Sequence, residues 1–340
     1  FRKNSLGDGD FMLYAFPERM AERRNQWFFD LKKEVPAAIY KSSVKEKIRA
    51  FRKIIKENGV DTVHTHFTDM KTDMCINIAC LGLRVKKFKH YRSSFGSFGT
   101  IKKFFARLCY RSWNAVICVS PHIMREAESN IVSCKPVLLN DAVFFPRMDN
   151  YEKLCKPDLG VPESAVLCFA IGYDYRLKGI DLACEAVKKL RDEGLNIYLA
   201  VCTASNTQTI AEQIRAQFGE FPEWLKLLPP RQDIASYYRA ADIYIQASRS
   251  EGFCYAIVEA AYCGKTVVAS DCPGMKSHAE KNFNFLWFKN GDSDSLSEKL
   301  GQAVKTSESS ELSSKNRRAA IDNYSIENMS KKLYRIYADM

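Results

Sequence analysis

Ser248–Gly274 reads S-R-S-E-G-F-C-Y-A-I-V-E-A-A-Y-C-G-K-T-V-V-A-S-D-C-P-G. It follows a strand-like run at Asp242–Gln246 and opens on Glu251-Gly252. An apolar helical stretch comes next, Tyr255–Cys263, and feeds a second strand, Thr266–Ala269. The runs TVVAS here and VLCFAI at Val166–Ile171 are apolar without alternation. Strands of that kind are covered on both faces, as in a parallel sheet flanked by helices.

The same rhythm extends outward. Further strands are predicted at Ile197–Val201, Leu225–Leu228 and Phe285–Phe288, with helices at Ile180–Glu193, Asn206–Phe218, Asp233–Ala240 and Ser293–Val304. The first half repeats it more loosely. Strands are expected at Phe11–Phe16, Thr62–Phe67, Lys87–Arg92, Ala115–Ser120 and Val137–Leu139. Helices are expected at Val44–Asn58, Thr72–Leu81, Ile101–Trp113 and Pro121–Ser129. Two more helical segments, Lys315–Asp322 and Ile326–Tyr337, close the chain. A length of 340 residues suits two domains better than one. Asn140–Leu159 is rich in Pro, Asp and Asn and lacks periodicity, so it reads as the linker. The expected fold class is α/β, with two Rossmann-like, doubly wound domains at 1–145 and 160–340.

Composition narrows the function. Hydrophobic residues are 46% and charged residues 27%, as in a soluble globular protein. No apolar run approaches the ~18–20 residues that span a bilayer. Twelve cysteines are scattered with no C-x-x-C pair, which reads as reduced thiols in a cytoplasmic protein rather than a zinc site or a disulfide framework. The chain starts at Phe1, and a missing N-terminus, with a first strand, is expected. The net charge of +11 is lopsided. Residues 1–150 hold 27 Lys and Arg against 15 Asp and Glu, whereas residues 151–340 hold 24 against 25. Between Asp73 and Glu126 there is no acidic residue, while ten Lys and Arg are interleaved with Phe88, Phe95, Phe98, Phe104, Phe105 and Trp113. A basic, aromatic stretch of that kind seeks an anionic partner, either as an interfacial helix or as the solvated side of a core helix.

The phosphate loops G-x-G-x-x-G and G-x-x-x-x-G-K-[ST] are absent, as are G-x-S-x-G and H-E-x-x-H. Two clusters remain. Glu251 and Glu259 are eight residues apart, about 12 Å of helical rise, too far to share a proton but suited to two ends of one polar ligand. Glu259 lies in an otherwise apolar helix and so needs a partner. Gly252 and the unpaired N–H groups at the start of that helix suit a phosphate or a sugar hydroxyl. The second cluster is Gly172-Tyr-Asp-Tyr-Arg-Leu-Lys-Gly179, directly after Val166–Ile171, where Arg176 and Lys178 could neutralise a pyrophosphate. His64 and His66 are expected on opposite faces of their strand, and no metal site is expected.

These motifs resemble glycosyltransferase family 4, a retaining, nucleotide-sugar-dependent group with the GT-B fold of two Rossmann-like domains facing a central cleft. Glu251 and Glu259 match its E-x7-E motif, set in EGFCYAIVEAAYCGKTVVASDCPG. Gly172 to Gly179 match its G-R-x-x-x-x-K-G loop in length. Asp61-Thr-Val-His-Thr-His66, Asn114–Ser120, Val137–Asn140 and Tyr324–Met329 resemble further strands and the last helix. The resemblance implies that Glu259 holds the ribose hydroxyls, that Glu251 contacts the transferred sugar, and that the backbone of Gly252, Phe253 and Cys254 lies against sugar and phosphates. It implies further that Lys178 holds the diphosphate and that Arg231 lines the base. Tyr173 stands where the family has arginine, so Arg176 is the candidate second cation. Cys254 and Pro273 replace family glycines. Either His90 or Arg92 is the candidate first-domain sugar contact, and a structural histidine fits the position as well.

The function so implied is transfer of a hexose-type sugar from a UDP- or GDP-sugar to a hydroxyl of a glycan or lipid-linked acceptor, in cell-surface polysaccharide or glycolipid synthesis. No cofactor and no nucleic acid are expected. The basic first domain is expected at an anionic membrane, on its inner face. The alternative is a catalytically weak sugar-nucleotide-binding scaffold recruited to membranes.

Overall fold

A computed structural model describes residues 14–17, 37–40, 43–66, 68–131, 133–203, 207–306 and 310–340. The chain divides into two compact units, Phe1–Asn140 with Met329–Met340, and Asp141–Asn328.

In the first unit, β1 (Tyr14–Pro17) and β2 (Ala37–Tyr40) pair in parallel as a small sheet of their own. The expected strand Phe11–Phe16 lies partly outside the described residues. The remainder alternates: α1 (Val44–Glu57), β3 (Thr62–His66), α2 (Met70–Ala79), β4 (Lys86–Tyr91), α3 (Thr100–Tyr110), β5 (Ala115–Cys118), α4 (Pro121–Asn130) and β6 (Lys135–Leu138). The helix starts are fixed locally. Ser43, Asp69 and Ser120 each accept the backbone N–H three residues on, which satisfies a donor the helix itself cannot. The four strands β3-β4-β5-β6 form one parallel sheet in sequence order.

The last helix of the chain differs from expectation. The sequence places it in the second domain, 160–340, but residues 329–340 belong to the first unit. Met329, Leu333, Ile336, Tyr337 and Met340 recur on one helical face, and that stripe must be covered. It packs on Phe88, Ala115, Ile117 and Leu139. Lys86 and Asn114 then reach the carbonyls of Tyr337 and Met340 at 2.8 and 3.0 Å.

The second unit starts inside the expected linker. Its first helix, α5 (Pro146–Asp149), is packed: Met148 is buried, and Phe145 stacks on Tyr262 at 4.3 Å. Then follow β7 (Val166–Ile171), α6 (Ile180–Asp192), β8 (Ile197–Cys202), α7 (Thr207–Phe218), β9 (Leu225–Leu228), α8 (Ala235–Ala240) and β10 (Ile243–Gln246). After these come α9 (Tyr255–Tyr262), β11 (Thr266–Ser270), α10 (Pro273–Lys276), β12 (Leu286–Phe288), α11 (Ser293–Thr306) and α12 (Ser310–Tyr324); α13 (Ile326–Asp339) begins here, and its residues from Met329 on belong to the first unit. The sheet is parallel throughout, in the order β12-β11-β10-β7-β8-β9. That is a doubly wound sheet in which the strand order reverses between β7 and β10, so the loops leaving those two parallel strands open a crevice between them. All twelve cysteines are unpaired and ten are buried, where they pack as small hydrophobes.

Candidate functional site

The two sequence clusters flank that crevice. The loop after β7 carries Lys178, and the loop after β10 carries Glu251. Lys178 Nζ lies 2.7 Å from Glu251 Oε1, with both side chains less than 15% exposed. Burial lowers the Lys178 pKa, but the Glu251 charge and hydrogen bond outweigh it and hold the amine above its ordinary value. The Tyr173 ring lies 5.0 Å from the same ammonium. Behind Glu251 runs a one-way chain of donors. The Tyr244 hydroxyl donates to Gln246 Oε1 at 2.6 Å, Gln246 Nε2 to Ser248 Oγ at 2.7 Å, and Ser248 Oγ to Glu251 Oε1 at 2.7 Å. Such a buried, fully directed chain fixes the carboxylate in place.

Two glycines allow the loops to close on each other. Gly179, at φ +65°, would place a Cβ 1.9 Å from the Ala247 carbonyl oxygen, and Gly274 would place one 1.8 Å from that of Glu251. Neither position tolerates a side chain. Gly172, at the start of the first loop, abuts Ile180 and Lys178.

The segment Gly252–Cys254 turns into α9. The Phe253 ring is buried against His278 and Tyr324, at 4.9 and 5.2 Å. Its carbonyl is 2.6 Å from His278 Nε2, and His278 Nδ1 is 2.7 Å from the Tyr324 hydroxyl. A carbonyl only accepts, so Nε2 carries the proton and Nδ1 accepts from Tyr324. Burial pushes the His278 pKa down to about 4, which keeps the ring neutral and this pattern intact. Cys254 caps α9 at φ +69°, in the left-handed region.

Glu259 lies one turn from the end of α9 and is only 6% exposed. Its required partner is Arg147 of α5, with the Tyr238 hydroxyl donating to the other oxygen at 3.2 Å. Burial raises the Glu259 pKa, and the Arg147 charge and the hydrogen bonds pull it back only in part. Tyr255, at the start of α9, donates to Asp141.

Two predicted site residues are paired with neighbouring carboxylates. Arg176, largely exposed, pairs with Asp181 at 2.8 Å. Arg249 grips the same carboxylate with two bonds of 2.8 Å and also bonds the Arg176 carbonyl. Arg231, after β9, is bound by Asp233 at 2.7 Å and by Glu152, which raise its pKa.

In the first unit, His64 and His66 were expected on opposite faces. They share one, because residues two apart in a strand point the same way, and their rings lie 4.2 Å apart. His90, paired in register with His66, stacks on His64 at 5.3 Å. His90 is buried and His66 exposed. Burial, together with the charge of Arg92, lowers the His90 pKa to about 2, and burial with the charges of His66 and His90 puts His64 well below its ordinary value. Tyr337 bonds His64 Nδ1. Ring nitrogens of the three histidines lie within 4.8 Å of one another, the one group among the described residues that could hold a metal ion. An ion would need them about 2 Å from itself, and Lys89 and Arg92 oppose added positive charge there.

Arg147, Asp181, Arg249, His278 and the Gln246–Ser248 relay were missed by sequence reasoning. The apolar surroundings of Glu259 signalled that a partner exists without naming it.

The sequence model of the family described as "Glycosyl transferases group 1" matches residues 155–324, half of the chain. A 73-residue stretch is 37% identical to the N,N'-diacetylbacillosaminyl-diphospho-undecaprenol alpha-1,3-N-acetylgalactosaminyltransferase of Campylobacter jejuni. That match covers 22% of this chain and spans 19% of the curated relative's own length. A glycosyltransferase structure from Rickettsia africae matches 97% of this chain and 98% of its own, at 18% identity and a TM-score of 0.83. The structure of HepE from Anabaena in complex with UDP-glucose matches 96% and 92%, at 15% identity and a TM-score of 0.75. These structural likenesses identify the fold as GT-B. With the E-x7-E block and the lysine loop converging on the switch point inside the matched region, the chain belongs to the group 1 glycosyl transferases.

Proposed function

We propose that this chain transfers a hexose-type sugar from a UDP- or GDP-sugar, with retention, to a hydroxyl of a glycan or lipid-linked acceptor. The observation that carries the reading is the Lys178–Glu251 pair at the point where the strand order reverses. Glu251 receives hydroxyls of the transferred sugar and Lys178 the diphosphate, so donor arrival exchanges their mutual bond for two bonds to substrate. Glu259, held by Arg147, takes the ribose hydroxyls. The backbone of Gly252, Phe253 and Cys254, fixed by His278, lies against sugar and phosphates, and Arg231 borders the base.

In the reaction, the bond between the anomeric carbon and the diphosphate oxygen breaks and negative charge grows on the leaving phosphate. Lys178, the N-terminus of α9 and, from the Asp181 anchor, Arg176 stabilise that charge, which is electrostatic catalysis at a preorganised site. The acceptor oxygen bonds the anomeric carbon on the same face, and its proton passes to a departing phosphate oxygen. The products are a glycoside and a nucleoside diphosphate. No metal and no cofactor take part in this scheme.

The UDP-glucose held by the HepE structure supports a nucleotide-sugar donor. The diphospho-undecaprenol in the Campylobacter relative's name supports a lipid-linked acceptor. A lipid acceptor places the chain at the inner face of an anionic membrane. Among the described residues no helix is long and apolar enough to cross one. The test is a panel of UDP- and GDP-sugars scored by thermal shift and turnover, since a ligand bound only by the folded state raises its melting temperature. If Lys178→Ala and Glu259→Ala both bind and turn over donor like the wild type, the assignment is wrong.

A further inference from the structure

The basic stretch of the first unit is not one surface. Lys89 is buried and lies 2.8 Å from the buried Asp73, and its ammonium also bonds Thr68. Lys87 is buried against Asn77 and Ser112. These two cations belong to the interior, and the exposed charge is concentrated on α3.

That helix is apolar on two sides. Ala106, Cys109 and Tyr110 are buried against the unit. Ile101, Phe104, Phe105 and Leu108 recur at i, i+3, i+4 and i+7 and so form a second stripe. These four are 44–76% exposed, although nothing about folding requires large apolar side chains in water. Helical geometry sets Lys103, Arg107 and Arg111 along one side of the stripe and Lys102 along the other. The neighbouring α2, tied to α3 by Asn77 Nδ2 donating to the Cys109 carbonyl at 2.6 Å, carries exposed Met74 and Ile78, and exposed Leu81 follows in the turn beyond its end. A shallow depression lined by Met70, Ile101, Lys102 and Phe105 joins the two helices. No acidic residue lies on α3. Asp73 is sealed inside, and the Asp69 carboxylate caps the Thr72 N–H at 2.8 Å.

We infer that the exposed stripe of α3 is a membrane-docking surface. Ile101, Phe104, Phe105 and Leu108 enter the headgroup–acyl boundary of an anionic bilayer, and Lys102, Lys103, Arg107 and Arg111 pair with its phosphates. This rests on the membrane location proposed above and names the surface that carries it. Charge complementarity selects the occupant. An apolar stripe bordered by cations alone repels a second copy of itself, whereas an anionic leaflet meets both its features.

The test is sedimentation of the full chain with phosphatidylcholine vesicles, with and without phosphatidylglycerol, at low and high salt. The wild type pellets with the anionic vesicles at low salt. Partition falls at least about tenfold in Phe104→Ser/Phe105→Ser and on the order of a hundredfold in Lys103→Glu/Arg107→Glu/Arg111→Glu. The altered side chains lie away from the core, so both variants keep the wild-type melting temperature and any donor-induced thermal shift. Lost vesicle binding with an intact donor shift therefore bears on this surface alone, and a missing donor shift in the wild type bears on the proposed function alone. Wild-type protein that stays in the supernatant with anionic vesicles, or variants that pellet as the wild type does, overturn the inference. So does a wild-type dimer that ignores vesicles and is abolished by the two serine substitutions, because the face then belongs to a second copy.

Discussion

Lys178 Nζ and Glu251 Oε1, 73 residues apart in sequence, meet at 2.7 Å where the strand order of the second unit's sheet reverses. Removing one partner of a mostly buried pair strands the other, so Lys178→Met is expected to cost roughly 3 kcal/mol of stability. Lys178→Met/Glu251→Gln removes both charges and recovers most of that. Activity behaves differently, because the diphosphate still lacks its cation. Both variants are expected to lose on the order of 10²–10³ in kcat/KM. Urea unfolding and steady-state kinetics on the same preparations separate the two roles. A double variant that regains activity along with stability would show the pair to be structural only.

Glu259 and Arg147 make a second testable pair. The carboxyl pKa is raised by burial, which Arg147 offsets only in part. A raised folded-state carboxyl pKa is a penalty that grows as pH rises above the unfolded value and fades as pH falls and the buried acid takes its proton. Arg147→Met enlarges the penalty, so the variant is expected to lose about 1–2 kcal/mol at pH 7 and less at pH 5. The figure is kept small because Arg147 is half-exposed. Equal losses at both pH values would place the Arg147 effect elsewhere. Glu259→Gln, in turn, is expected to weaken donor binding about 10–100-fold, read by titration calorimetry.

What the sequence shows of this site follows from where each residue sits in the chain. Glu251, Gly252 and Glu259 form one continuous block, and Lys178 lies on a short loop bounded by glycines, so spacing alone exposes them. Arg147 and His278 reach the same block from a presumed linker and from beyond the next strand, and only the tertiary fold brings them there. Asp181, which anchors both Arg176 and Arg249, reads in sequence as an ordinary acidic first-turn residue of a helix. The parallel sheets were legible because strands covered on both faces are apolar throughout. The interior Lys87 and Lys89 were not, because a buried lysine reads like a surface one until Asn77, Ser112, Thr68 and Asp73 are seen around it. The place of the last helix is not legible in the sequence either. Its apolar stripe announces burial without naming the surface that provides it.

Cys254 occupies a left-handed conformation that favours glycine. Holding a side chain there costs on the order of 1 kcal/mol, and the buried thiol returns part of this through packing. Cys254→Gly is therefore expected to leave the melting temperature close to that of the wild type. Cys254→Val puts a β-branched side chain at positive φ and is expected to lose at least about 2 kcal/mol. Thermal unfolding of the three proteins decides it. If valine is tolerated as well as glycine, the left-handed geometry does not govern this position.

His278 gives the sharpest pH prediction. Its folded pKa is lowered to about 4 by burial, against about 6.5 when unfolded. Between those values the unfolded chain binds a proton that the native ring refuses. The stability this group contributes is therefore whole above pH 6.5 and is lost as pH falls toward 4. From pH 7 to pH 5 the loss from this one residue is about 2 kcal/mol. His90, buried and lowered to about 2, acts in the same direction. His278→Gln cannot titrate, and its amide can still donate to the Phe253 carbonyl. The variant is expected to be less stable than the wild type at pH 7, through imperfect packing, yet to lose about 2 kcal/mol less on going to pH 5. Urea unfolding at the two pH values measures the difference, and parallel acid losses in both proteins would mean that His278 takes up its proton without disturbing the turn at Phe253.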